Sequence, residues 1–367
     1  MGEKGMLGAA QQAAQQFGLV GHIKGIRPYG SGHINDTFLV EGDRNCILQR
    51  MNRGIFLKPE EVMENILGVT TFLKKKIAQA GGNPERETLT VVPTKDQKPF
   101  YLDGQGEYWR MYYQIEGAVS YDRVERKEDF YESAVAFGNF QQLLADYPAE
   151  TLHETIPGFH DTKARYEVFL QAVEADVCGR AKYAKEEIEF YQARKETACV
   201  LGELLAAGKL PLRVTHNDTK LNNIMMDKKT GKGICVIDLD TVMPGLAVND
   251  FGDAIRFGAS TGEEDEQDLS KVSCDLGLFR IYAEGFLQEC GGSLTDTEIA
   301  MLPMGAKVMT YECGIRFLTD YLKGDVYFKI HREGHNLDRA RTQMKLVADM
   351  EEKWEELEQM IQAVRKG

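Results

Sequence analysis

The chemically most informative side chains lie in one short polar segment and at the end of an apolar run that follows it. His216, Asp218 and Asn223 form the pattern H-x-D-x-x-x-x-N, and Asp238 comes 15 residues after Asn223, at the end of the run Val236-Ile237. Phosphoryl transfer to a hydroxyl needs a carboxylate that accepts the proton of the attacking O–H, and oxygen ligands that hold Mg²⁺ against the phosphates. The pattern predicts Asp218 as the base and Asn223 and Asp238 as Mg²⁺ ligands. His216 is expected to brace the loop; the alternative is a polar turn between two strands.

Two further features lie near this segment. Lys220 follows Asp218 by two residues, where protein kinases carry a lysine that can neutralise a transferring phosphoryl group; the alternative is an exposed loop lysine. Asp250-Phe251-Gly252 spells the D-F-G metal motif of protein kinases, but it lies 32 residues past Asp218 and opens a predicted helix. We therefore interpret Asp250 or Asp253 as a cap or brace for the catalytic loop.

A glycine-rich turn near the N-terminus is the candidate phosphate loop. Glycines in a hairpin let backbone N–H groups approach a triphosphate. The pattern is not a Walker sequence, and by itself it also fits a plain hairpin turn. The predicted nucleotide-binding residues of this loop are Gly30, Ser31, Gly32 and Asn35.

The strand Cys46–Arg50 stands where a kinase places its phosphate-binding lysine, but it contains no lysine. Arg50 or Gln49 must then serve, since arginine makes bidentate phosphate contacts. The carboxylate partner is left open among the glutamates of the next helix, Glu60, Glu61 and Glu64. We expect ATP to bind between a strand-rich N-terminal lobe and a helical C-terminal lobe. Its adenine is expected to contact the segment that connects the two lobes, at Gln114 and Glu116.

Hydrophobic and turn patterns divide the chain into residues 1–116, rich in short strands, and 117–367, mainly helical. Residues 22–29, 34–41 and 45–52 predict hairpin strands, and 59–79 predicts a helix with Pro at its start and Gly81-Gly82 at its end. Strands resume at 88–94, 99–102 and 107–115. The expected fold class is α+β, with a small β-rich N-lobe that binds nucleotide and a large helical C-lobe that carries catalysis.

Composition excludes several classes of protein. The 367 residues carry a net charge of −13, which argues against nucleic acid or an anionic membrane as the main partner. The seven cysteines form no C-x-x-C pair, which is typical of reduced thiols. No stretch approaches the ~18 apolar residues of a membrane span. We expect a soluble, cytoplasmic protein with a small-molecule partner; its oligomeric state is left open.

The motifs resemble those of the aminoglycoside-phosphotransferase and choline-kinase superfamily, which has a bilobal protein-kinase-like fold. Within it the chain resembles the bacterial N-acetylhexosamine 1-kinases from about residue 17 to about residue 351. The segments that carry this resemblance are Gly30–Asn35, Arg213–Asn223, Ile237–Thr241, Asp250–Gly258 and Glu312–Leu318.

The resemblance implies that ATP and Mg²⁺ phosphorylate the anomeric hydroxyl of N-acetylglucosamine or N-acetylgalactosamine to the α-1-phosphate. It also implies that Asp218 contacts the sugar. The other residues that match the family's sugar pocket are His33, Phe257, Arg316 and Tyr327. Core packing is the alternative for Phe257. An ion pair with Glu312, four residues earlier on a helix, is the alternative for Arg316.

Two other functions compete with this one. A sister kinase could act on an amino alcohol, an aminoglycoside or another sugar, and a cationic acceptor would then need carboxylates such as those of the acidic run Glu263–Asp268. A nucleotide-binding pseudokinase would fit the missing strand lysine, although the set of Asp218, Asn223 and Asp238 argues against it.

Overall fold

The computed structural model describes residues 3–19, 21–30 and 34–366. The strands are β1 (Gly25–Pro28), β2 (Asp36–Glu41), β3 (Cys46–Arg50), β4 (Tyr101–Leu102), β5 (Tyr108–Tyr113), β6 (Ala118–Val119), β7 (Arg213–Thr215), β8 (Ile224–Asp227), β9 (Gly233–Val236) and β10 (Met243–Gly245). The helices are α1 (Glu3–Ala14), α2 (Pro59–Gln79), α3 (Pro84–Glu87), α4 (Lys127–Leu143), α5 (Thr162–Ala175), α6 (Lys185–Gln192), α7 (Lys195–Ala206), α8 (Ala247–Gly258), α9 (Leu276–Cys290), α10 (Asp296–Ala300), α11 (Leu302–Lys323), α12 (His335–Glu352) and α13 (Trp354–Lys366). Within the described ranges, no helix is long and apolar enough to cross a membrane.

The chain forms two compact units. The first comprises residues 1–120, 146–157 and 224–243, and the second comprises 121–145, 158–223 and 244–367. The predicted N-lobe, 1–116, falls within the first unit, which also takes in two later segments. A β-sheet N-terminal region and a mostly helical C-terminal region, with 52% helix and 12% strand overall, confirm the predicted α+β class.

The first unit is built on an antiparallel sheet in the order β1-β2-β3-β5-β4. An apolar core packs on one face of this sheet and includes Leu48, Trp109 and Met111. Helix α1 contributes to this core through three alanines and was missed by the strand-based interpretation of this region, although alanine favours helix. The register sets Gln49 of β3 opposite Arg110 of β5, which places two polar side chains together inside the sheet.

Two predicted elements of this unit had different outcomes. Helix α2 has the predicted bounds and begins at Pro59, where the missing N–H costs no helical hydrogen bond. The strand predicted at 88–94 is wrong as a continuous strand: it makes only the isolated bridges Val91–Tyr112 and Phe17–Thr94 among the described residues. Pro93 provides a physical reason, since proline cannot donate to a ladder.

A second, smaller sheet in the first unit has the order β6-β8-β9. In its antiparallel hairpin, Ile224 at the start of β8 lies opposite Val236 at the end of β9. The chain then passes Asp238 and enters a 3₁₀ turn, Leu239–Thr241. This turn is therefore the continuation of a hairpin that begins directly after Asn223.

The second unit is a helical body around α11. Its core includes Tyr191, Tyr311 and Leu318. Helix α8 approaches α11 closely: a Cβ on Gly252 would lie 2.3 Å from the carbonyl oxygen of Gly305, and a Cβ on Gly305 would lie 2.1 Å from that of Val248. The glycine of the D-F-G sequence thus serves helix packing, which fixes the start of α8.

Candidate active site

The predicted catalytic loop follows β7 and brings three predicted side chains together. Lys220 Nζ lies 2.7 Å from Asp218 Oδ1. Asn223 Nδ2 donates to Asp218 Oδ2 at 3.1 Å and to the Asp218 carbonyl oxygen at 2.8 Å. The Asp218 carboxylate is therefore held in one orientation by a cation on one oxygen and an amide on the other.

Asp250 braces this loop, as the sequence interpretation expected. Its carboxylate accepts the backbone N–H of His216 at 2.9 Å and that of Asn217 at 2.8 Å, and it also accepts Gln141 Nε2 at 2.7 Å. Asn217 has a φ of 64°, a left-handed conformation that asparagine tolerates better than most residues. Burial raises the pKa of Asp250 above its ordinary value, although the N–H donors favour its charged form. The aspartate of the D-F-G sequence thus fixes the loop backbone.

His216 also supports this loop, through a side chain that is buried against aromatic rings. It is fully buried, and its ring centroid lies 5.4 Å from that of Phe137 and 6.1 Å from that of Phe140. Its Nδ1 accepts the backbone N–H of Asp218 at 3.3 Å. This geometry confirms the predicted bracing role of His216.

The electrostatics of the loop favour an ionised Asp218 beside a charged Lys220. Burial raises the pKa of Asp218, but the charge and hydrogen bond of Lys220 outweigh it and hold the pKa below its ordinary value. Burial likewise opposes the charge of Lys220, while Asp218 and Asp253 raise its pKa. Asp218 is thus a carboxylate of low basicity at neutral pH.

A buried network links the loop to α11. His160 lies with its Nε2 3.1 Å from the Asn217 carbonyl oxygen and its Nδ1 2.9 Å from Glu312 Oε1. Glu312 also accepts the Thr162 hydroxyl at 2.7 Å and lies 3.5 Å from Arg165 Nε. The close contacts of Glu312 are therefore with other elements, while Arg316, on the same helix, adds a favourable charge without a direct contact.

This network predicts how stability depends on pH. Burial lowers the pKa of His160, but Glu312 raises it above its ordinary 6.5, so the His160 contribution is complete below 6.5 and is lost as pH rises through the raised value. Burial raises the pKa of Glu312, but His160 and two arginines lower it from 4.5 to about 2, so its contribution is complete above 4.5 and is lost as pH falls towards 2. Both contributions are complete between pH 4.5 and pH 6.5. In that range we expect Glu312→Gln to lower the free energy of unfolding by about 3 kcal/mol, and by less above neutral pH.

Urea denaturation at a series of pH values measures this difference. Glu298→Gln is the matched control, because Glu298 is equally buried but pairs with Arg213, which stays charged over the whole range. A loss for Glu312→Gln that does not shrink between pH 6 and pH 9 would contradict the ion pair with His160.

Beyond Glu312 lies a group of cations and aromatic rings. The guanidinium carbons of Arg165 and Arg316 each lie 5.9 Å from the Phe159 ring centroid, and that of Arg316 lies 5.5 Å from the Phe328 centroid. Burial and the nearby Arg316 lower the pKa of Arg165. The Tyr327 ring is 4.8 Å from Phe328, and the tyrosine is 65% exposed. We name Phe159, Arg165, Arg316, Tyr327 and Phe328 the arginine–aromatic group.

Asp320 shapes the loop that carries two of these rings. Its carboxylate accepts the backbone N–H groups of Val326, Tyr327 and Phe328 at 2.8–2.9 Å. Asn336 Nδ2 donates to the same carboxylate at 2.9 Å. The backbone of the aromatic loop is therefore fixed, while the Tyr327 ring remains exposed.

The other predicted acceptor residue and the acidic run have separate outcomes. Phe257 is half-buried in the last turn of α8, so both the pocket and the packing roles stay open. In the acidic run, Glu264 lies 3.2 Å from Arg256 Nη1, and Asp265 lies 3.5 Å from Arg332 Nη2 and 2.9 Å from His335 Nε2. The carboxylates that an ammonium acceptor would need are thus already paired with basic side chains.

The predicted Mg²⁺ ligands offer suitable donor atoms. Asp238 is an exposed residue that lies two positions after β9, with a left-handed φ of 58°. Asn223 turns its Nδ2 towards Asp218, which leaves Oδ1 as the ligand atom of its amide. In the described part of the chain, no group of three or more His, Cys, Asp or Glu side chains could hold a metal ion. Mg²⁺ is commonly bound by one or two carboxylates together with substrate phosphates, so the Asp238 carboxylate and the Asn223 amide oxygen are each a suitable kind of ligand for it.

The predicted nucleotide residues of the first unit are partly committed to protein contacts. Arg50 Nε donates to Asp36 Oδ2 at 2.9 Å, and Arg50 Nη1 lies 3.8 Å from Glu107. Asn35 Nδ2 donates to Asp240 Oδ2 at 2.7 Å, and its Oδ1 accepts the Asn52 N–H at 3.0 Å. These contacts give Arg50 and Asn35 structural roles, and their predicted nucleotide contacts stay predictions.

The remaining nucleotide residues lie at turns and in the connector. Gly30 has a φ of 78°, which glycine adopts readily. The Gln114 N–H donates to the Asn45 carbonyl oxygen at 2.9 Å, and the Glu116 carbonyl accepts Arg86 Nη2 at 3.1 Å. Ser31, Gly32 and His33 lie outside the described residues.

Sequence reasoning missed residues whose partners are distant in the chain. His160 and Glu312 are 152 residues apart, and Arg110 and Asp240 are 130 residues apart. Arg110 lies within the strand predicted at 107–115, but nothing in that pattern indicated that it is only 1% exposed and pairs with Asp240. No spacing rule within the sequence links such pairs.

Comparison with known proteins is consistent with this geometry. The sequence model of the phosphotransferase enzyme family, APH, matches residues 25–273. Among solved structures, a microcompartment-associated aminopropanol kinase aligns with a TM-score of 0.57 and 16% identity, covering 96% of this chain and 98% of that one.

Two other solved structures share the fold at similarly low identity. Choline kinase from Cryptosporidium parvum Iowa II aligns with a TM-score of 0.55 and 13% identity, covering 98% of this chain and 97% of that one. A spectinomycin phosphotransferase in complex with ADP and spectinomycin aligns with a TM-score of 0.54 and 11% identity, covering 99% and 98%. These similarities support the kinase-like fold and leave the acceptor unspecified.

Proposed function

Because the chain belongs to the phosphotransferase enzyme family, we propose that it transfers the γ-phosphoryl group of ATP to the anomeric hydroxyl of an N-acetylhexosamine. The observation that carries the transfer chemistry is the Asp218 carboxylate, oriented by Lys220 at 2.7 Å and by Asn223 at 3.1 Å. In this proposal Asp218 accepts the proton of the sugar O1–H while O1 bonds to the γ-phosphorus and the bond from that phosphorus to the ADP oxygen breaks.

The low basicity of Asp218 suits this acceptor. Lys220 holds the pKa of Asp218 below its ordinary value, so the carboxylate is a weak base. An anomeric hydroxyl is more acidic than an ordinary alcohol and asks less of its base. A loose phosphoryl-transfer transition state also needs little proton removal, so orientation of the hydroxyl is the main task of Asp218.

Asn223 Oδ1 and the Asp238 carboxylate are the proposed Mg²⁺ ligands. Bound Mg²⁺ supplies charge that shields the phosphate oxygens. Lys220 adds a cation beside the base that can face the transferring group. Asn223 in addition keeps the Asp218 carboxylate in its orientation.

The choice of a neutral, oxygen-rich acceptor is supported by the arginine–aromatic group. His160 and Glu312 connect it with Asn217 of the catalytic loop. Two guanidinium groups favour hydroxyl and carbonyl oxygens and disfavour an ammonium group, and an aromatic face can cover a pyranose. The ion pairs of the acidic run point the same way, because Arg256 already neutralises Glu264 and Arg332 already neutralises Asp265.

The test is incubation with Mg²⁺, ATP and a panel of both N-acetylhexosamines, amino alcohols and an aminoglycoside, with products identified by phosphorus NMR. We expect a sugar 1-phosphate from an N-acetylhexosamine. Phosphorylation of an amino alcohol or aminoglycoside alone would keep the transfer chemistry and overturn the proposed acceptor. Measurable ATP binding with no product from any acceptor would favour the pseudokinase.

Within the same assay, Arg316→Met tests the acceptor side. We expect the KM for the N-acetylhexosamine to rise about tenfold while the KM for ATP is unchanged, since about 1.4 kcal/mol is a typical loss for one such contact. Arg194→Met is the matched control, because Arg194 also lies over an aromatic ring, Phe190, but pairs with Glu351. Equal effects of the two variants would contradict a specific role for Arg316.

A further inference from the structure

Strand β3 lacks the lysine of protein kinases, and the structure contains a different buried cation next to it. Arg50, the cation of β3 itself, is engaged by Asp36 and Glu107 at the end of the strand. Arg110 lies opposite Gln49 on the neighbouring strand and is only 1% exposed. The fixed positive charge within this sheet is therefore on β5.

Arg110 connects β3 with the turn after Asp238. Its Nε and Nη2 donate to Gln49 Oε1 at 3.0 and 2.9 Å, and its Nη1 donates to Asp240 Oδ1. The second oxygen of Asp240 accepts Asn35 Nδ2 at 2.7 Å. One buried carboxylate thus joins β5 to the segment that follows the candidate phosphate loop.

Asp240 lies two residues after Asp238, and the two carboxylates have opposite environments. Asp240 is 3% exposed, whereas Asp238 is exposed. The turn that contains Asp240 and the residue after that turn are also held through the backbone, since Thr155 donates to the Asp240 carbonyl oxygen and Asn65 donates to that of Val242, each at 2.9 Å. The buried anchor therefore determines how the chain presents the exposed carboxylate.

We propose that Arg110 is a positioning residue, which acts through Asp240 to fix the turn that presents Asp238 to Mg²⁺. In protein kinases an ion pair between a strand lysine and a helix glutamate must be in place for activity. Here a buried Arg–Asp pair takes over that positioning, and the missing lysine is no loss of function. Ligand geometry must hold to within about 0.5 Å, which a turn anchored by buried hydrogen bonds can provide. This inference rests on the proposed function.

The test is calorimetric titration of the whole chain with a non-hydrolysable ATP analogue, with and without Mg²⁺. For the wild-type protein we expect Mg²⁺ to tighten binding. The tightening is the factor by which Mg²⁺ lowers the Kd of the analogue. In Arg110→Gln and in Asp240→Asn, we expect this factor to fall at least about tenfold. The double variant R110Q/D240N buries no unpaired charge, so its Tm should exceed those of both single variants, while the tightening stays lost.

Arg110→Lys covers the case in which the charge-removing variants do not fold. It keeps the buried charge but cannot make the forked contact with Gln49 while bonding Asp240, so we expect the tightening to fall at least about threefold. Asp227→Asn is the matched control, because it breaks the Arg86–Asp227 ion pair, 2.8 Å long, at the other end of the same hairpin. We expect wild-type tightening there.

Two results would overturn the inference. One is a double variant with restored Tm and wild-type tightening, which would leave the Arg110–Asp240 pair with packing alone. The other is Arg110→Lys with wild-type tightening, which would show that the forked contacts of Arg110 with Gln49 and Asp240 do not fix the turn. A wild-type chain that binds no nucleotide with Mg²⁺ would instead refute the proposed function, whatever the variants do.

Discussion

Replacement of Asp218 by asparagine is expected to lower kcat by about 10²–10⁴-fold, because the acceptor hydroxyl loses both its proton acceptor and the carboxylate that orients it. Asparagine keeps the size of the side chain and can still bond Asn223. The Lys220 ammonium loses its partner at 2.7 Å but remains under the influence of Asp253, so Tm should change by only a few degrees. Initial rates with saturating sugar and ATP, together with thermal unfolding, measure the two effects.

Asp161→Asn is the control for this variant. Asp161 caps α5 in the same unit by accepting the Ala164 N–H at 2.9 Å, and asparagine is an equally good N-cap. We expect its turnover to match the wild-type protein. Wild-type turnover by Asp218→Asn would refute the assignment of the base.

The second large effect is a crossed comparison between Asp238→Asn and Asp250→Asn. Asp238→Asn should lower Mg²⁺-dependent kcat/KM at least about 10²-fold with little loss of stability, because asparagine tolerates the left-handed φ of 58°. Asp250→Asn should lower the free energy of unfolding by roughly 3 kcal/mol, because one carbonyl oxygen cannot replace two oxygens that accept from His216, Asn217 and Gln141.

Mg²⁺ titration of activity and urea denaturation of both variants separate the two roles. The apparent Mg²⁺ requirement should rise for Asp238→Asn and stay near the wild-type value in the folded fraction of Asp250→Asn. The reverse pattern would mean that the aspartate of the D-F-G sequence is the metal ligand. The two substitutions are chemically identical, so each serves as the control for the other.

The fold could be predicted in outline because its signals are local. Helix α2 was predicted at its observed bounds from the Pro at its start and the glycines after its end, and most strands were found within a few residues. The exceptions have local causes too: Pro93 interrupts the strand predicted at 88–94, and the alanines of α1 carry no strong periodic pattern.

The sequence alone determined that the residues of the predicted catalytic loop lie together, because they are close in the chain. Asp218, Lys220 and Asn223 are separated by two to five residues, so one loop brings them together wherever it lies in the fold. The position of Asp250 and Asp253 after a loop likewise indicated a bracing role for one of them, and the structure shows that it is Asp250.

Only the tertiary structure decided what supports these residues. The pairs His160–Glu312 and Arg110–Asp240 join segments more than 100 residues apart, and a buried charge is stable only where such a partner meets it. A one-dimensional pattern records which side chains alternate or repeat, but not which distant side chain neutralises them. For that reason the sequence did not distinguish Arg110 from other strand residues, although Arg110 is buried in the sheet and paired with Asp240.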